Sequence, residues 1–251
     1  MSESRCQYKM ELENIAKMEY PGRLIIIGRD ISGEKDIVAY AITGRSPSSQ
    51  ARKLDYDSII SKIIVKPTNE EELKKGNIDL LIYPAIYCQG GIAVSNGKQT
   101  ENIKAWFEKN ADPVDVLRNS LSKWDYEPDA PNYTPRISSC ITYEKGAALS
   151  IIKRAEDGSS MKNYFKIPLI PGKGKLIATY TGENKNPLPS FAGEPLDVEL
   201  KGNTTEAITE GIYNALGPKA NQNDFRVSVA TVFYNKGSVM SAWIKNNLEK
   251  K

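Results

Sequence analysis

The chain has 251 residues, 40% hydrophobic and 26% charged, the composition of a globular protein long enough to bury a sizeable core. Its 34 basic and 31 acidic side chains leave a formal charge of +3, which excludes a global electrostatic footprint for nucleic acid or a membrane surface and leaves anion binding to local clusters. With no histidine, Ser-His-Asp and Cys-His catalysis and histidine-based metal centres are impossible within the chain, and acid–base work falls to carboxylates, Lys, Tyr, Cys and backbone groups.

In chain order, residues 9–18 read as a short helix, in a polar N-terminus without a signal-peptide apolar stretch. "RLIIIGRD" and "KDIVAYAIT" are β-branched apolar runs joined by "DISGEK", a hairpin. "AITGRSPSSQARKL", residues 41–54, then sets Arg45, Arg52 and Lys53 around a serine-rich turn. Arg45 and the hydroxyl of Ser46 stand where the strand ends and suit a phosphate; Arg52 and Lys53 lie further out as solvated charges. "IDLLIYPAIYCQGGIAVSN" is strand-rich with Gly90-Gly91 as its turn, and "AVSNGKQTE" ends a strand on Asn96-Gly97 before Thr100 caps "ENIKAWFEKN". Pro113 opens a second helix.

"DYEPDAPNYTPRIS", residues 125–138, is a proline-stiffened loop entering a strand, a favoured place for functional side chains. Its Arg136 suits a phosphate or carboxylate, or equally a pairing with Asp125 or Asp129. Beyond it, "RISSCITY" and "AALSIIKR" flank Glu144-Lys145-Gly146, "NYFKIPLI" and "KLIATYTG" follow, residues 182–197 form a proline-rich connection, "TTEAITEGIYNALG" is helical and "RVSVATVFYN" returns to strand. Two hairpin-rich halves, each with helices, predict an α+β architecture of stacked sheets between helix layers. Cys6, Cys88 and Cys140 are odd in number and scattered, so a reduced, cytoplasmic protein without disulfides or zinc is expected.

Three segments in order, "YPGRLIIIGRD...IVAYAITGRS", "AVSNGKQTE" and "WDYEPDAPNYTPRIS", resemble the archaeal-type IMP cyclohydrolase family over residues 20–145. The resemblance implies an Ntn-hydrolase-like fold of four layers in αββα order, with a helical extension over 1–20 and a single domain over 21–251. It implies ring closure of 5-formamidoimidazole-4-carboxamide ribotide to IMP and water, the last step of purine biosynthesis, without cofactor or metal. It implies a small ribonucleotide as partner, no nucleic acid and no membrane, with self-association left open. By resemblance Arg23, Arg29, Arg45, Ser46, Asn96, Gly97, Thr100, Thr134 and Arg136 bind substrate. Tyr83 is the candidate acid, against the plainer reading of a strand tyrosine packing its ring, with Glu101 and Lys66 as further catalytic groups. Lys66 stands for the family's lysine within residues 54–80, where this chain departs from the pattern. Two other readings stay open: a non-catalytic nucleotide-binding protein, and an amidohydrolase with a freed Cys6 as N-terminal nucleophile.

Overall fold

The computed structural model describes residues 12–109, 111–142 and 145–248. Cys6, the start of the expected helix over 9–18, and Glu144 lie outside these residues. In chain order the described elements are α1 (Glu13–Ala16), β1 (Arg23–Arg29), β2 (Asp36–Thr43), α2 (Pro47–Gln50), β3 (Arg52–Asp57), β4 (Lys62–Pro67), α3 (Glu70–Lys74), α4 (Ile78–Leu81), β5 (Pro84–Cys88), β6 (Gly91–Ser95), α5 (Gln99–Lys104), α6 (Pro113–Ser120), β7 (Arg136–Thr142), β8 (Gly146–Arg154), β9 (Ser160–Ile167), β10 (Lys173–Ala178), β11 (Leu196–Glu199), α7 (Thr205–Ala215), β12 (Arg226–Asn235) and β13 (Ser238–Asn246).

Leu24 to Ile27 are each at most 1% exposed. At about 1.5–3 kcal/mol per buried aliphatic side chain, that run commits β1 to the interior of a sheet. It lies between β10 and β2 in a six-stranded antiparallel sheet of order β11-β10-β1-β2-β12-β13. The second sheet has seven antiparallel strands in order β3 to β9. The sheets therefore do not follow the two halves of the sequence: the β1–β2 hairpin joins strands from the last third of the chain, while the middle builds the other sheet.

Alternation along the strands shows how the layers meet. On β7 and β8, Ile137, Ile141, Leu149 and Ile151 belong to a core shared with the first sheet, whereas Cys140, Ala148 and Ile152 pack with α5 and α6 residues Ile103, Val116 and Leu117. Pro113 at the first turn and the Asp112 carboxylate, which accepts from the Val114 N–H, start α6. The Thr204 hydroxyl caps α7, whose Ile208 and Ile212 join the main core beside β12 and β13. The fold is thus a mixed α/β sandwich of two antiparallel sheets carrying helices. No helix among the described residues is long and apolar enough to cross a membrane.

Several local expectations change. "IDLL" is the short helix α4 rather than strand, because Asn77 caps it by accepting from the Asp79 N–H. Thr100 lies inside α5 and caps nothing. Residues 182–197 end in β11, and β3, β4 and β13 are strands that the sequence reading did not assign.

Candidate active site

The functional side chains gather where β1, β3 and β7 begin and β2 ends, at one end of the seam between the sheets. Gly22 makes the entry to β1 possible: its φ is +73°, and a Cβ there would stand 2.2 Å from Thr179 Oγ1 and 2.7 Å from the Tyr180 ring. Thr179 accepts from the Arg23 N–H at 3.1 Å and donates to the Pro21 carbonyl, so the Arg23 backbone is fixed from two sides. The Arg23 side chain then turns inward and donates through Nη2 to both carboxylate oxygens of Glu127, at 3.4 and 3.3 Å.

Glu127, 1% exposed, is the centre of the cluster. Asn96 Nδ2 donates to it at 3.3 Å, and Arg136 Nη1 stands 3.7 Å away. Arg136 is itself held by the Asp125 carbonyl, by Gln99 Oε1 and by the face of Trp124. Its partner is therefore neither the Asp125 nor the Asp129 carboxylate. The Asn96-Gly97 turn makes this packing possible, since a Cβ on Gly97 would lie 2.8 Å from Arg136 Nη1. Asn96 is consumed by the Pro135 carbonyl, the Ile137 N–H, Gln99 and Glu127, while Thr100 bonds Ser95 and the Gly97 carbonyl. These turn residues brace the cluster from behind.

Beneath Arg23 lie two phenols and a third arginine. Tyr40 and Tyr83 are 0% and 2% exposed, and their hydroxyls are 2.8 Å apart. Arg52, expected as a solvated charge, is 2% exposed: β3 turns its side chain into the protein, and Nε donates to the Ser49 carbonyl. Among the described residues, Arg23 Nε and Arg52 Nη1 are buried donors without a hydrogen-bond partner. Two orphan guanidinium N–H groups in the interior are costly unless an acceptor arrives.

The electrostatics follow from crowding of charge in a desolvated place. Burial raises the Glu127 pKa, and the nearby arginines only partly offset it. Burial works against the Arg23 charge, but Glu127 and the phenols of Tyr83, Tyr40 and Tyr180 together hold its pKa well above the ordinary value. Arg52 forms no ion pair among the described residues, and burial lowers its pKa, with the pull of the Tyr83 and Tyr40 phenols set against repulsion from Arg23. Burial and the neighbouring Tyr83 raise the Tyr40 pKa well above a normal phenol.

A cavity of about 300 Å³ reaches this cluster at Arg23 and Glu127, with Tyr40, Tyr83 and Arg52 behind its lining. Arg23, Glu127, Thr134 and Tyr180 line its inner part, with Thr134 Oγ1 2.6 Å from Tyr180 Oη and bonded to Asp129. Arg45, Ser46, Ser48 and Asn77 line its mouth. Ser46 caps α2 by accepting from the Ser49 N–H and meets Ser48 Oγ at 3.1 Å. The Arg45 guanidinium stacks over Tyr20 and donates to Asn184 Oδ1 and the Lys185 carbonyl, at 3.1 and 3.0 Å, in the proline-rich connection.

Three expected site residues stand apart from this cluster. Arg29 is at the other end of β1, roughly 20 Å along the strand from Arg23, and chelates Asp36. Lys66 projects from β4 into solvent and pairs with Asp55, whose hydrogen bond raises the ammonium pKa, the wrong direction for a lysine that must give up a proton. Glu101 is half exposed on α5 and pairs with Lys62 at 2.6 Å. Conversely, the sequence did not place Glu127, Arg52, Tyr40 or Tyr180 in the site. The available signals were a tyrosine inside the apolar run of β2 and a glutamate in the rigid loop before β7.

Comparison with known proteins agrees with the segments that carry the site. The family model described as IMP cyclohydrolase-like protein matches residues 20–238. A protein of Methanothrix thermoacetophila named IMP cyclohydrolase is 30% identical over 196 residues, covering 77% of this chain and 85% of the relative. Two solved structures of Anbu from Hyphomicrobium sp. strain MC1 align over 91% and 90% of this chain, and 90% and 88% of their own, at 9% and 10% identity and TM-scores of 0.33 and 0.32, too loose a likeness to bear on fold or function. The family match runs from the tyrosine ahead of β1 to the start of β13 and so takes in every residue of the buried cluster: the chain belongs to the IMP cyclohydrolase-like protein family.

Proposed function

We propose that the protein closes the ring of 5-formamidoimidazole-4-carboxamide ribotide to IMP with loss of water, on a four-layer αββα scaffold of the Ntn-hydrolase-like kind, in cytoplasmic purine biosynthesis. The observation that carries this reading is Glu127, a buried carboxylate held by Arg23 and Asn96 beside guanidinium N–H donors that await an acceptor. In the reaction the carboxamide nitrogen bonds to the formyl carbon, the formyl oxygen becomes a hydroxyl, and the C–O bond then breaks. The two protons that leave as water with that oxygen come from the carboxamide and formamido nitrogens, so the chemistry balances without oxidant, reductant or cofactor. Glu127 accepts the carboxamide proton, and Arg23, Arg52 and the Tyr83 hydroxyl face the oxygen as charge develops on it. Holding the two arms of one molecule in a reactive rotamer supplies much of the remainder.

Purified protein in a metal chelator is expected to convert the ribotide to IMP, followed by the absorbance of the purine ring. Loss of turnover in chelator, or none in any buffer, overturns the reading; binding of IMP without turnover identifies a nucleotide-binding protein instead.

For the 5′-phosphate, Arg45 and Ser46 at the cavity mouth are the proposed contacts. A hydrogen bond to a charged group contributes about 1.5–3 kcal/mol, so Arg45→Ala is expected to weaken IMP binding about 10- to 150-fold. Inosine, which lacks the phosphate, should bind both proteins equally poorly in calorimetry. If inosine suffers as much as IMP, Arg45 serves the proline-rich connection through Asn184 and Lys185 rather than phosphate.

A further inference from the structure

Tyr40 is out of place for a residue that only packs. Its neighbours along β2, from Ile37 to Ile42, are otherwise aliphatic and fully buried, and a phenylalanine would fill the same space without desolvating a hydroxyl. Among the described residues the hydroxyls of Tyr40 and Tyr83 bond each other, across the two sheets, at 2.8 Å. One O–H···O bond uses one of the two phenol protons, so the accepting phenol keeps a proton of its own to donate elsewhere. Both phenols act electrostatically on Arg23 and on Arg52, so the hydroxyl pair lies within reach of both guanidiniums.

We propose that Tyr40 is a positioning residue: its O–H donates to Tyr83 Oη, fixing that hydroxyl beside the arginines with its proton directed to the departing oxygen of the ring-closing substrate. When Tyr83 gives up that proton, the bond from Tyr40 and the fields of Arg23 and Arg52 stabilise the phenolate, and the proton returns from the carboxamide through Glu127 and solvent at the end of the cycle. Tyr40 thereby acts on the chemistry only through Tyr83. The inference rests on the ring-closing reading of the site.

The test compares wild type, Tyr40→Phe, Tyr83→Phe and the double variant, each checked for folding by thermal melting and for IMP binding by calorimetry. Tyr83→Phe is expected to lower kcat at least about tenfold, with KM and IMP affinity within a few-fold. Tyr40→Phe should lower kcat by about tenfold with the same spared binding, the loss expected for one hydrogen bond to a charged group. The double variant should be no slower than Tyr83→Phe, because Tyr40 then has nothing left to position. Wild-type kcat in Tyr40→Phe, or an equal loss from Tyr40→Phe in both backgrounds, overturns the inference while leaving the ring-closing reading intact. A wild type with no turnover overturns that reading and the inference with it.

Discussion

Glu127→Gln is expected to lower kcat by about 10²- to 10⁴-fold, the range in which a positioned general base contributes, while the folded protein still binds IMP. The substitution keeps the shape of the side chain and an oxygen for Asn96 Nδ2, but removes the negative charge between Arg23 and Arg136. Leaving a buried guanidinium without its counterion costs about 3–5 kcal/mol in comparable cases, so the melting temperature should fall as well. The pH profile separates the two effects. Burial raises the Glu127 pKa above the ordinary carboxylate value of 4.5, and a base works only when deprotonated. Wild-type kcat/KM, which reports ionisations of the free enzyme, should therefore decline on the acid side at a pH above 4.5, and Glu127→Gln should lack that limb. A variant with wild-type turnover, or with the same acid limb at reduced amplitude, removes Glu127 from the base role.

Arg52→Met should move activity and stability in opposite directions. Arg52 is 2% exposed, and among the described residues its guanidinium bonds only the Ser49 carbonyl, through Nε, and leaves Nη1 without a partner. Burial and the neighbouring Arg23 both oppose its charge. A buried charge lacking a counterion is a burden on the fold, and a thioether of comparable length fills the space at lower cost. The melting temperature should stay level or rise. Turnover should nevertheless drop about 10²- to 10³-fold, the loss typical of one donor removed from an oxyanion-stabilising set. A variant that is both less stable and fully active would show Arg52 to be a scaffold residue. The expected trade-off is the mark of a site that keeps destabilising charge because the reaction uses it.

How much of the site could be read from residue order differs sharply between neighbours in the sequence. Arg45 and Arg52 are seven positions apart in one basic stretch, and composition treats them alike. The structure leaves Arg45 at the cavity mouth and buries Arg52, because β3 begins at Arg52 and the strand's alternation turns that side chain inward. In the same way "DYEPD" offers three carboxylates within five residues. Asp125 contributes its backbone carbonyl, Asp129 braces Thr134, and only Glu127 enters the arginine cluster. Lys66, chosen by resemblance in a segment where the pattern is lost, faces solvent beside Asp55.

What the sequence by itself determined was local or compositional. The missing histidines left acid–base chemistry to carboxylates, Lys, Tyr, Cys and backbone groups. The β-branched runs on either side of "DISGEK" specified the β1–β2 hairpin, and Pro113 after Asp112 specified the start of α6, since turn and cap chemistry act over a few residues. Tertiary structure alone decided which charges are buried together and which strands share a sheet. Arg23 and Glu127 are 104 positions apart, and β1 pairs with β10 across about 150 residues. The β1–β10 pairing forms only when distant strands meet in one sheet, the Arg23–Glu127 contact only when the chain packs around it, and desolvation there, rather than any preference of the residues themselves, separates a working carboxylate from a solvated one.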